Sequence, residues 1–132
     1  MPMPKIKDLQ AAAASENAAR AAANAAERAR FEAEAAAAKP KMRRELNTKA
    51  AAAVLANRRY GRTKFAVYSF QTIGGPEAQE RKRAYIAAWL EVIEAWGKTQ
   101  LRAGYIVKGS RGSSSPAGFA GSVDVEITWK LA

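Results

Sequence analysis

The segment Val123-Asp124-Val125-Glu126-Ile127-Thr128-Trp129-Lys130-Leu131 decides the fold of this chain. Apolar and polar residues alternate strictly, and successive side chains of a strand point to opposite faces. The spacing therefore predicts a strand over 123–131 with one buried and one wet face. Such a strand needs sheet partners and an apolar cover, and both are found by working back along the chain. Residues 64–73 (KFAVYSFQTI) are rich in aromatic and β-branched types, which predicts another strand. Gly74-Gly75-Pro76 reads as a turn with proline at the first helical position, and Glu77 and Glu80 suit the positive end of a helix dipole. That helix is predicted to run to about residue 103 and to stop at Gly104. Tyr85, Ile86, Trp89, Leu90, Val92, Ile93 and Trp96 form its apolar face, with Glu91, Glu94 and Lys98 opposite. Residues 105–108 read as a short strand and 109–121 as a Gly/Ser loop. Residues 63–132 thus predict an α+β fold, a β-α-β-β body in which a three-stranded sheet packs on one amphipathic helix.

Upstream the composition changes. Seventeen of the 28 residues from 11 to 38 are alanine, the strongest helix former, and neither glycine nor proline interrupts residues 5–38. The run predicts a long helix with little to bury, since Ile6, Leu9 and Phe31 are its only large apolar anchors. Pro40 lacks an amide donor and clashes with the preceding turn, so it is expected to end this helix. Residues 1–40 then form an arm, and 41–62 a separate basic amphipathic helix closed by Gly61. On the helical wheel Met42, Leu46, Ala50, Ala53 and Tyr60 fall on one side, and Arg43, Arg44, Asn47, Arg58 and Arg59 across from them.

Charge is concentrated in that basic segment. Residues 39–64 carry nine basic residues and one acidic residue, Glu45, a surplus of +8 out of the whole chain's +10. A cluster of this density attracts a polyanion and releases its counterions. Arg43, Arg44, Lys49, Arg58, Arg59, Arg62 and Lys64 are accordingly the candidate contacts to nucleic acid or to an acidic nucleoprotein surface. The competing account is a solvated helix face that keeps the protein soluble. Arg81-Lys82-Arg83 point in three directions on a helix and read as surface residues.

The chain has no Cys and no His. Disulfides, thiolate or histidine catalysis and Cys/His zinc sites are therefore excluded. Gly97-Lys98-Thr99 lacks the upstream glycine and the preceding strand of a phosphate loop. Asp124 and Glu126 share one strand face, and the wet side of an amphipathic strand accounts for both. No cofactor, metal or catalytic site is expected. No run of apolar residues is long enough to span a membrane, and five acidic residues among the first 38 argue against a transit peptide. The expected setting is the cytoplasm or the inside of a nucleoprotein particle.

Strict period-2 reading of 64–73 puts Tyr68 and Phe70 on the face opposite Phe65 and Val67. One helix cannot cover both faces, so Tyr68 and Phe70, together with Phe119 in the Gly/Ser loop, are candidate protein contacts. The reading that best fits the sequence is a non-catalytic small basic protein that binds nucleic acid or a nucleoprotein. Two others compete: a structural component of a virion or particle whose helical arm docks on neighbouring subunits, with homo-oligomers included, and a protein inhibitor that blocks a nucleic-acid enzyme.

Overall fold

The computed structural model describes residues 2–71, 74–113 and 120–132. The described elements in order are α1 (Ile6–Ala56), β1 (Arg62–Gln71), α2 (Pro76–Gln100), a short 3-10 turn (Leu101–Ala103), β2 (Ile106–Ser113) and β3 (Ala120–Thr128). The strands form one antiparallel sheet in the order β1-β3-β2, which places the strongly alternating strand in the centre. The fold is α+β, with a long N-terminal helix and a β-α-β-β body.

Val123, Val125 and Ile127 of β3 are fully buried on the inner face. In register with them, Phe65 and Thr63 of β1 and Gly109 and Val107 of β2 lie on that same face. α2 covers it through Ile86, Trp89, Val92, Ile93 and Trp96. Two glycines set how closely helix and sheet approach. A Cβ on Gly109 would come within 2.9 Å of the Ile93 side chain, and one on Gly97 within 3.1 Å of Val107. The outer face is polar, and Glu126 sits in register between Lys64 and Lys108.

α1 and α2 run parallel, because ion pairs match rising positions on both: Arg30–Glu77 (3.4 Å), Glu34–Arg81 (3.3 Å) and Lys39–Glu91. Between and beyond these pairs, Phe31, Ala35, Met42, Leu46 and Ala50 are buried at three- to four-residue multiples, the single stripe along which α1 meets the body. Phe31 is 1% exposed and lies between the guanidinium groups of Arg30 and Arg81, each 4.9 Å from its ring. Residues 6–26 are exposed throughout, so roughly 30 Å of helix projects beyond the start of α2.

Several sequence expectations need correction. Pro40 does not end a helix. α1 continues through it, so the arm over 1–40 and the basic helix over 41–62 are one element. A proline inside a helix costs about 3 kcal/mol. Buried Ala35 on one side and Met42 and Leu46 on the other hold both flanks against α2. The helix also stops earlier than Gly61 implies. Asn57 caps it: its backbone amide donates to the Ala53 and Val54 carbonyls, and its Nδ2 donates to the Ala53 carbonyl (2.9 Å) and the Thr63 hydroxyl (3.0 Å). Arg58, Arg59 and Tyr60 therefore lie in a turn, and Tyr60, expected on the apolar side, is 71% exposed.

The second correction concerns Tyr68 and Phe70. The register of β1 against β3 shifts between Ala66 and Tyr68, a β-bulge with Val67 as the extra residue. One added residue reverses the alternation. Tyr68 and Phe70 thereby join Phe65 on the inner face, paired with Val123 and Gly121, and Phe70 is 8% exposed. Tyr68 stacks near Tyr85, with centroids 6.3 Å apart. Burial, and secondarily the Tyr85 phenol, push its own phenol above the ordinary value. The expected uncovered face of β1 does not exist. Lys82 and Arg111 complete the cover, 5.7 and 5.3 Å from the Phe70 ring. The third correction concerns the loop over 109–121. Its described residues, 109–113 and 120–121, are strand. Phe119, the remaining candidate protein contact, lies outside the described residues, as do Thr72 and Ile73.

Candidate nucleic-acid interface

The basic candidates are all exposed, but they do not form one helix face. Arg43, Arg44 and Lys49 are on α1. Arg58 and Arg59 occupy the turn after it, and Arg62 and Lys64 lie on the outer, solvent side of β1. The structure spreads them over helix, turn and strand, because the helix stops at Ala56 and the chain reverses, and Arg43 stands 13 residues, about 20 Å, before that end. Arg58 has a structural task as well: its Nη1 donates to the Leu55 carbonyl (3.0 Å), where a cation is favoured by the negative end of the helix dipole.

The turn carrying Arg58 and Arg59 is held from several sides. The Tyr60 amide donates to the Asn57 carbonyl (2.9 Å), and the Trp129 amide donates to the Gly61 carbonyl (2.9 Å). Gly61 adopts φ +71°, and a Cβ there would come within 3.0 Å of the Trp129 carbonyl oxygen. Glycine is thus required on both conformational and steric grounds.

Ion pairing divides the molecule. Glu34, Glu77, Glu80 and Glu91 all bridge α1 and α2, engaging Arg81, Arg30, Arg28 and Lys39, while Lys98 pairs with Glu94. Among the described residues, Lys41, Arg43, Arg44, Lys49, Arg58, Arg59, Arg62 and Lys64 make no salt bridge. The positive charge from Lys41 to Lys64 is thus left open to solvent. The Arg81-Lys82-Arg83 cluster is not part of it. Arg81 and Lys82 cover Phe31 and Phe70, and Arg83 pairs with Glu80.

A groove between α1 and α2 leads into the basic end, and sequence reading missed it. Its open part is lined by Pro40, Arg43, Arg44, Asn47 and Thr48 of α1 and by Trp96, Thr99 and Gln100 of α2. Beside it lies a largely apolar, open slot of 270 Å³ walled by Ala50, Ala51, Val54, Leu55, Trp96, Tyr105 and Ile127. Asn47, Trp96 and Gln100 belong to both parts. The Trp96 indole N–H donates to Asn47 Oδ1 (3.3 Å), which ties the two helices where the parts meet. The one available signal was Leu55, which falls among polar residues on the wheel and is exposed at the slot's lip.

Among the described residues no cluster of acidic side chains could hold a metal ion, and no helix is long and apolar enough to cross a membrane. Comparison of the chain with protein families, with curated proteins and with solved structures finds no match in any of the three.

Proposed function

We propose that this is a non-catalytic nucleic-acid-binding protein that engages phosphates through the basic end of α1, the turn after it and the start of β1. The observation that carries this reading is the segregation of charge. Among the described residues, eight exposed cations between Lys41 and Lys64 make no salt bridge, whereas Glu34, Glu77, Glu80 and Glu91 are engaged between α1 and α2. Only Glu45 within the segment and Glu126, in register with Lys64, offset them locally. Unpaired arginines on a hydrogen-bonded turn are suited to phosphate oxygens, because little side-chain and backbone order must be added on binding. The spread of cations over helix, turn and strand fits a curved or bent backbone better than a straight groove.

The test is a salt series. For a duplex, the logarithm of the binding constant falls against that of salt concentration with a slope of about −0.9 per phosphate contacted. Replacing Arg43, Arg44, Arg58 and Arg59 with alanine is expected to flatten that slope by about 3.6, if each meets one phosphate, and to weaken binding at low salt by at least about a hundredfold. Equal binding by both proteins, or none by either, would sink the proposal.

A second reading, a particle component whose arm docks on neighbouring subunits, is favoured by the exposed helix over 6–26 with Ile6 and Leu9 near its tip. Its signature is self-association that is lost when the arm is removed, measured by light scattering at matched concentration.

A further inference from the structure

The groove between α1 and α2 combines three features that a bare phosphate-binding surface does not need. It has cations at one end, an apolar slot at the other, and two side-chain amides where they meet. Arg43 and Arg44 line the open part and carry no ion pair among the described residues. The slot's 270 Å³ lies just below the roughly 300–1,000 Å³ of sites for drug-sized molecules, room for one flat ring system and little more. Its walls include the half-buried ring of Tyr105, on which a π-face can stack, above a floor to which buried Trp96 contributes. At the rim, Asn47 uses Oδ1 to accept from Trp96, which leaves its Nδ2 donors free. Gln100 uses Nε2 to donate to the Thr99 hydroxyl, which leaves Oε1 as an acceptor. The Asn47 Nδ2 donors and the Gln100 Oε1 acceptor at the mouth of an apolar slot match the hydrogen-bonding edge of a nucleobase.

We infer that this groove accepts an unpaired nucleotide, with the base in the slot and its phosphate against Arg43 and Arg44. The inference rests on the nucleic-acid reading above and narrows it to single strands. A base stacked in a duplex cannot enter, because its ring faces are covered and its edge is already paired. Charge complementarity selects the occupant: the lining contains no acidic side chain, and the only charged groups on it are the two arginines.

Ala51 provides the test, since it lines the slot yet is exposed, so a larger side chain there fills the space without disturbing the core. Fluorescence anisotropy is measured with labelled oligothymidylate and with a duplex of equal length, for the full chain and for Ala51→Trp. Denaturant midpoints confirm that both are folded. Stacking of one base contributes enough to change affinity by roughly five- to a hundredfold. The expected result is a preference for oligothymidylate of about tenfold or more that Ala51→Trp removes, with duplex binding unchanged. Equal binding of both polymers, or a single-strand preference that survives Ala51→Trp, overturns the slot while leaving phosphate binding in place. Binding of neither polymer overturns this inference together with the reading beneath it. An acidic amphipathic peptide serves as a competitor. If it binds, and it alone is lost in Ala51→Trp, the groove docks protein and the inference fails.

Discussion

Residues 6–30 and 31–56 belong to one helix and obey different physics. The first half is held by backbone propensity, with alanine at nearly half its positions and no burial of a large side chain. The second half has a buried residue nearly every turn, from Phe31 through Leu46 to Ala50. The boundary falls where α2 begins, because only there does α1 have something to pack against. Helix formation and helix anchoring are thus separable in this protein. The same α-helical geometry is reached once by local preference and once by tertiary contact.

Matched substitutions in the two halves test that separation. Leu46 is fully buried, and Leu46→Ala is expected to cost about 2–5 kcal/mol in urea unfolding. Leu9→Ala, the same chemical change near the tip of the arm, should stay within about 0.5 kcal/mol. Similar losses at both sites would mean that the arm is packed on something. Pro40 lies inside the anchored half, where it interrupts the hydrogen-bond ladder. Pro40→Ala is expected to stabilise the protein by about 1–3 kcal/mol, read as a raised melting temperature with α1–α2 packing retained. A destabilised variant would show that α1 needs a proline-induced bend to reach both Phe31 and Leu46. The smallest effect belongs to Ala22→Gly. It should leave global stability unchanged and speed amide exchange only around residue 22, whereas amides at 42–54 exchange with global unfolding.

Which parts of this were legible in the sequence follows from how each signal arises. β3 and α2 bury one face over many residues, so their periods of 2 and 3.6 are written plainly from Val123 to Ile127 and from Tyr85 to Trp96. The bulge at Val67 has no such signature. A single extra residue leaves composition untouched and only reverses the alternation, which is why Tyr68 and Phe70 read as exposed. Strand structure at Gly109–Gly112 was hidden for the opposite reason. Where Ile93 approaches the backbone, a strand must omit the side chains by which strands are recognised. Pro40 carries a strong local rule that burial on both flanks overrides. The basic residues were legible as a cluster, but not as a surface, because their arrangement depends on where Asn57 stops α1. Of the groove only Leu55 gave a sign, as its walls come from α1, α2, Tyr105 before β2 and Ile127 of β3.

The continuity of α1 through Pro40 has a geometric corollary. Without a joint, the position of Ile6 and Leu9 relative to the basic end is a matter of counting residues. Each amino acid inserted in the arm moves the tip outward by about 1.5 Å and rotates it by about 100°. Seven insertions return it to within about 20° of its starting azimuth. The arm therefore acts as a vernier, in which length and angular phase are tuned together. The shortest change that lengthens the reach of the tip while keeping it aimed in nearly the same direction is about seven residues.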